Sequence, residues 1–239
     1  MEERTSVSRA HDEPPEGARL DALIFDLDGL IVDTESVVHS VWLSVFERHG
    51  CSFTVVEWSH AVGGDGQFRP LDALRERSHV PVEAGARLMD SIEKQIEARL
   101  DGIAPLPGVA SWMHDALRLG VRIGVASNSP REWVEARLNQ VGLRDLVEAI
   151  SCRDESPNAK PAPDIYLTAC SRLDVSPHRS VAVEDSRTGV AAAKAAGLRC
   201  IAVPNHLTRH HDLSAADLIV NSLASVGFAD TMMKIGPKC

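Results

Sequence analysis

An α/β fold built on a doubly wound parallel sheet, interrupted near its start by a helical insert, is what this sequence predicts. Three observations carry the expectation. From Pro105 onward, short apolar runs alternate with stretches of helical periodicity, the pattern of a parallel sheet covered on both faces. Between residues 51 and 104 there is no convincing strand, only helical pattern and loop. The chain has 239 residues, 44% of them hydrophobic and 25% charged, which supplies a real core and excludes collagen, coiled coil and general disorder.

The elements follow in order. Residues 1–19 read as a polar tail without the apolar stretch of a secretory leader. Residues 20–26 form a short apolar run, a buried strand broken by Asp26-Leu-Asp-Gly29. From Glu35, the residues Val38, Val41, Trp42, Val45 and Phe46 recur at helical spacing, and Gly50 is the natural stop. Gly63-Gly64-Asp65-Gly66 is a loop, with helical pattern over 71–77 and 82–100. A helix over 109–119 stops at Gly120, and 121–126 is a strand. Ser129-Pro-Arg-Glu132 has the form of a capping box with an early proline, opening a helix that ends near Gly142. Strands are expected over 148–151, 180–184, 199–203 and 218–220, and helices over 163–173 and 188–196, the latter closed by Gly197.

Charge and cysteine usage narrow the function. With 25 Lys+Arg against 34 Asp+Glu, the formal charge of −9 disfavours a non-specific nucleic-acid or anionic-membrane binder. No apolar run approaches the roughly 18 residues of a membrane span. Five cysteines (Cys51, Cys152, Cys170, Cys200, Cys239) are scattered without CxxC spacing, so neither a disulfide framework nor a zinc ribbon is expected, and a reducing cytoplasm fits. No apolar stripe marks an interface, so a monomer is the default.

Sheets of this kind bind ligands beyond the carboxyl ends of their strands, so the chemistry is sought there. Asp26 and Asp28 follow the first strand, a pair that can bind metal or divide nucleophile and acid roles. Ser127 and Asn128 follow the second, just before a helix N-terminus suited to anions. Lys160 follows the third, on a loop stiffened by Pro161 and Pro163, and Glu184-Asp185 follows the fourth. Taken singly, each is a turn, cap or surface residue. Together they are four carboxylates, a lysine and a hydroxyl at successive strand ends, and four acids so placed call for a divalent cation such as Mg²⁺.

In order and spacing, these segments resemble the four motifs of the haloacid dehalogenase (HAD) superfamily: Asp26-Leu-Asp-Gly-Leu-Ile-Val-Asp-Thr34, Ser127-Asn128, Lys160-Pro-x-Pro-Asp164 and Val183-Glu-Asp-Ser-x-x-Gly189. The resemblance runs from about residue 20 to the C-terminus. It implies a Rossmann-like core over 20–34 and 106–239. It also implies a helical cap over 35–105, like that of the branch containing β-phosphoglucomutase and sugar-phosphate phosphatases.

It further implies a mechanism. Asp26 would attack phosphorus and form an aspartyl-phosphate; Asp28 would protonate the leaving oxygen and then take a proton from water. Mg²⁺ would be held by Asp26, the Asp28 carbonyl, Asp185 and Glu184, while Ser127, the Asn128 backbone and Lys160 would bind phosphoryl oxygens. Dehalogenases of the superfamily lack the second aspartate, so Asp28 points to phosphoryl transfer. The implied function is an Mg²⁺-dependent phosphatase acting on a small phosphorylated metabolite, with a sugar phosphate as the expected class. A sugar phosphomutase is the first alternative. Trp42 sits as in the mutase branch, but Val38 replaces the cap histidine, His39 lies one step round, and Arg69 falls in a shifted register. A non-catalytic protein that binds a phosphometabolite is the second.

Other features read as structural. His206, His210 and His211 suggest a solvated loop before a metal site. Trp58, Trp112 and Trp133 fall on helical patterns as core or cap-face residues. Cys239 is expected to be exposed.

Overall fold

The computed structural model describes residues 20–62, 68–82 and 85–235. The expected tail over 1–19, the glycine loop over 63–66 and Cys239 lie outside the described residues.

Strand β1 (Ala22–Phe25) lies inside a parallel sheet with β2 (Arg122–Ser127), β3 (Ala149–Cys152), β4 (Ser180–Glu184), β5 (Arg199–Ala202) and β6 (Leu218–Ile219). The order is β3-β2-β1-β4-β5-β6. The chain builds outward from β1 to β3, returns to the other side of β1 with β4, and builds outward again. Register pairs Phe25 with Val125 on one side and Val183 on the other. The carboxyl ends of β2, β1 and β4 therefore open side by side at the point where the winding reverses.

Period-two alternation assigns the sheet residues to two faces. Leu23 and Phe25 pack with Ile123, Val125, Val181 and Val183 against α5 (Val109–Arg118), α6 (Arg131–Gln140) and α9 (Phe228–Ile235). Ala22 and Ile24 face the other way with Ala126, Ala182, Cys200 and Ala202, against α7 (Asp164–Arg172) and α8 (Arg187–Ala195). That second face is rich in alanine, which lets α7 and α8 approach the sheet closely.

Between β1 and β2 stand α1 (Thr34–Arg48), α2 (Val55–Ser59), α3 (Pro70–Arg77) and α4 (Gly85–Leu100). They bury a cluster of their own, centred on Trp42, Phe46, Phe53, Trp58, Leu74 and Ile92, joined from outside by Leu207. No strand is found among the described residues of this stretch, as the sequence predicts.

Two helix starts differ from the sequence reading. The capping box expected at Ser129–Glu132 does not form: Pro130 is the N-cap and brings no side-chain hydrogen bond. Instead Asp154, from the loop after β3, accepts from the Arg131 N–H at 3.2 Å. Ser129 stands one residue too early to cap, and its hydroxyl is given to the stronger, charged acceptor Asp28 at 2.6 Å. Conversely, a capping box not expected from the sequence opens α2, with the Glu57 N–H donating to Thr54 Oγ1 at 3.1 Å and the Thr54 N–H to Glu57 Oε2 at 2.8 Å. The final helix α9 was likewise not anticipated; it buries Phe228, Thr231 and Ile235 on one face.

Candidate active site

Asp26 is the first residue past β1, and its N–H donates to Val183 O of β4 at 2.9 Å, so the neighbouring strand fixes its place. The chain then turns through Gly29, whose φ of +84° suits glycine, and a side chain there would press on Asp185 Oδ2 at 2.6 Å. Both demands explain the glycine of Asp26-Leu-Asp-Gly29.

Lys160 is the hub. Its ammonium donates to Asp26 Oδ1 at 2.5 Å, to Glu184 Oε1 at 2.6 Å and to Ala126 O at 2.8 Å, using all three protons while only 4% of the residue is exposed. Burial alone would lower its pKa, but the carboxylates of Asp26 and Glu184 outweigh that and hold it above the ordinary lysine range. The Asn128 side chain staples the lysine loop, accepting from Lys160 N at 2.9 Å and donating to Lys160 O at 3.3 Å.

Behind the lysine, Glu184 is fully buried. Its Oε1 also accepts from the Tyr166 hydroxyl at 2.7 Å, and its Oε2 from Asp185 N at 3.2 Å and Ser186 Oγ at 3.4 Å. The carboxylate presses on Gly189, where a methyl group would overlap it. Asp185 accepts from Asn205 Nδ2 at 2.9 Å. Asp28 is gripped at both oxygens: Oδ1 by Thr34 Oγ1 at 2.7 Å and Trp133 Nε1 at 2.9 Å, Oδ2 by Ser129 Oγ at 2.6 Å and Ser127 Oγ at 3.4 Å.

Of the seven site residues read from the sequence, six line one cavity of about 150 Å³: Asp26, Asp28, Ser127, Asn128, Lys160 and Asp185. Glu184 stands behind them. Ser129, Ser186 and Thr188 join them, and Glu35, Ala61 and Val62 add a wall from the insert. Asp26, Glu184 and Asp185 each bring a carboxylate oxygen within 4.8 Å of the others, all buried. Five carboxylates, counting Asp28 and Glu35, face a single lysine, so the donor set is hard, anionic and short of positive charge. It fits a divalent cation. Burial, then the neighbouring acids, push Asp185 well above the carboxylate range, and burial pushes Asp26 up to about 8 against the lowering pull of Lys160.

Several site residues were missed. Glu35 lacks a motif of its own; burial and the charges of Asp28, Asp26 and Asp33 push its carboxyl up to about 8. Ser129 was visible beside Ser127, and Trp133 on the turn of α6 nearest the strand ends. Nothing in the sequence singles out Tyr166 or Asn205. Trp133 is thus no mere packing residue, and His211 is no solvated loop residue: its Nε2 lies 2.8 Å from Ser59 O of α2, tying the core to the insert. His39 sits edge-on between Phe53 and Trp58, and Arg69 is exposed at the start of α3, away from the cavity wall.

Residues 20–197 match the haloacid dehalogenase-like hydrolase family. The YhcW protein of Bacillus subtilis (strain 168) is 38% identical over 187 residues, 78% of this chain and 84% of that protein. The fructose-1-phosphate phosphatase YqaB of Escherichia coli (strain K12) is 32% identical over 188 residues, covering 77% and 97%. Among solved structures, CbbY from Rhodobacter sphaeroides in complex with xylulose-(1,5)bisphosphate superposes with a TM-score of 0.72 at 32% identity, covering 87% of this chain and 96% of that one. With the strand order, the acidic site at the carboxyl ends of β1 and β4, and the match over three quarters of its length, the chain belongs to the haloacid dehalogenase-like hydrolase family.

Proposed function

We propose that the protein is an Mg²⁺-dependent phosphatase that hydrolyses a small sugar phosphate, with the helices of residues 35–105 serving as the cap. The observation that carries this reading is the pairing of Asp26 and Asp28 in one cavity with different surroundings. Asp26 is pinned at Oδ1 by Lys160, so its other oxygen is the one to attack phosphorus. Asp28 is held by neutral donors and keeps its proton chemistry for the substrate. In the first step the Asp26 oxygen bonds to phosphorus, the bond to the leaving oxygen breaks, and Asp28 supplies that oxygen's proton. In the second, Asp28 takes a proton from water as the water oxygen attacks phosphorus, releasing phosphate and restoring Asp26. Ser127 and the Asn128 backbone hold the phosphoryl oxygens, and Lys160, its three protons given to Asp26, Glu184 and Ala126 O, offsets their charge from beside them.

Asp26 and Asp185, with Glu184 behind them and the Asp28 carbonyl alongside, would hold the cation. When bound, the Mg²⁺ neutralises charge that would otherwise keep an anionic ester from an anionic nucleophile. The sugar class is supported by the relatives: YqaB is named for fructose 1-phosphate and the CbbY structure holds a pentulose bisphosphate. A phosphomutase needs a second phosphate site, whereas Lys160 is the one cationic side chain among the described residues lining the cavity. The free state of Cys51, Cys152, Cys170 and Cys200 agrees with action in a reducing cytoplasm.

The test is phosphate release from a panel of hexose, pentose and pentulose phosphates, with and without Mg²⁺, alongside Asp26→Asn. Selective, metal-dependent release absent from the variant is expected. Release that persists in Asp26→Asn, or none from any compound, would overturn the reading.

A further inference from the structure

The two oxygens of Asp28 have different neighbours. Oδ2 receives the hydroxyls of Ser129 and Ser127, both of them cavity residues. Oδ1 receives Thr34 Oγ1 and the indole N–H of Trp133, neither of which lines the cavity. The donors also differ in kind. A hydroxyl can turn and either give or accept a hydrogen bond, but an indole N–H only gives. A proton on Oδ1 would weaken it as the acceptor that Trp133 faces at 2.9 Å, so the indole N–H favours a proton taken up by Asp28 on Oδ2, on the cavity side.

We infer that Trp133 is a positioning residue for proton transfer: its N–H reserves Oδ1 as an acceptor and thereby places the transferable proton of Asp28 on Oδ2, toward the leaving oxygen. The inference rests on the acid–base role given to Asp28 above. No proton passes through Trp133; it decides which oxygen of its neighbour carries one.

The indole is itself held from the far side. Arg137, one turn further along α6, places its guanidinium carbon 4.5 Å from the centre of the Trp133 ring. Arg137 is buried, and its Nε and Nη1 have no hydrogen-bond partner among the described residues, so the aromatic face is the compensation within its reach. Its Nη2 donates to Glu97 Oε2 of α4 at 2.7 Å, and Gln140 Nε2 donates to Leu100 O at 2.6 Å. Trp133 packs against both the sheet cluster and the cluster of the insert. The ring that orients Asp28 is therefore seated where α4 of the insert docks on α6 of the core. Helix α4 clamps Arg137, Arg137 clamps the indole, and the indole sets Asp28.

The test reads leaving-group dependence. Substituted phenyl phosphates from p-nitrophenyl to unsubstituted phenyl phosphate are assayed with Mg²⁺ for kcat/KM, in wild type, Trp133→Phe and Asp28→Asn. Nitrophenolate departs without a proton, whereas phenolate needs one. Trp133→Phe should lose about 10- to 100-fold more kcat/KM on phenyl phosphate than on p-nitrophenyl phosphate, part of the usual contribution of general acid catalysis. Turnover of the nitrophenyl ester also reports that the variant is folded. If Phe costs the fold, benzothienylalanine at position 133 keeps the bicyclic shape and replaces the N–H by sulfur. An equal loss on both esters, or no loss on either, overturns the role of Trp133. If Asp28→Asn itself shows no steeper dependence, it is the acid–base role of Asp28 that fails. Steepening in Asp28→Asn without steepening in Trp133→Phe sinks the positioning role alone.

Discussion

Gly189 is the floor on which the Glu184 carboxylate rests: any side chain at 189 would occupy the space of those two oxygens. The glycine lies in the first turn of α8, three residues past Ser186, whose hydroxyl accepts from the Gly189 N–H at 3.2 Å and so caps the helix. The helix end, the cap and the buried acid thus share one small volume. Gly189→Ala should be destabilised by about 1–3 kcal/mol as overpacking, although alanine is the better helix former. A urea midpoint equal to or above wild type would contradict this packing.

Lys160 compensates two buried acids at once. Lys160→Met removes the charge while keeping most of the volume, leaving the buried carboxylates of Asp26 and Glu184 without their shared partner. The loss of stability should be about 3–5 kcal/mol, as for a broken buried ion pair. Added Mg²⁺ should raise the melting temperature of the variant more than that of wild type. Equal metal responses would argue against shared charge compensation at this site.

Glu35 should respond in the opposite sense. Its carboxyl is raised to about 8 by burial first and by Asp28, Asp26 and Asp33 second. Between the unfolded value near 4.5 and about 8 the native chain holds a proton that the unfolded chain has lost, so this group makes stability fall as pH rises through that window. Glu35→Gln mimics the protonated form. Without metal, it should match wild type near pH 4 and exceed it near pH 8 by about 1–2 kcal/mol, allowing for solvent around a half-buried side chain. Denaturant titrations at the two pH values check this, and an unchanged pH slope would refute it.

Glu155 gives the reverse sign. Hydrogen bonds from Arg131 and Arg172 pull it down to about 2, the first of them on the helix that carries Trp133. Its stabilisation is therefore complete above the unfolded value near 4.5 and is lost as pH falls through about 2. Glu155→Gln should cost about 1 kcal/mol at pH 7, discounted for partial exposure, with the difference from wild type shrinking below pH 4.5. A gap that is constant with pH would show that the carboxylate charge is not its source.

The sheet was legible because its strands are short apolar runs bounded by chemistry-bearing residues. The expected span 180–184 matches β4, and β1, β2, β3 and β5 fall within one or two residues of expectation. The site was legible for the same reason: Asp26, Ser127 and Glu184 end strands or immediately follow them. What the sequence hid depends on contacts across long separations. Asn205 reaches Gly29 O at 3.1 Å from 176 residues away, and Trp133 reaches Asp28 across 105. No local pattern encodes such a meeting. Ser129 misled because a serine directly before a proline and three positions before a glutamate has the form of a cap, while the nearby carboxylate competes for its hydroxyl.

The strand order also matters during synthesis. β1, with its apolar residues Ala22–Phe25, leaves the ribosome well before its neighbours on both sides, which are encoded far downstream, in Arg122–Ser127 and Ser180–Glu184. At about 5–20 residues per second, the first partner follows after some 5–20 s and the second later still. The helices between can gather around Trp42 and Phe46 in the meantime, because their cluster draws almost wholly on residues 41–100. A nascent chain halted before β4 would carry half a sheet, an orphaned Asp26 and no Glu184 or Asp185. Such a truncated product lacks two of the three acids of the buried cluster and displays the apolar edge of β1, where β4 would pair, to whatever chaperone or aggregate meets it first.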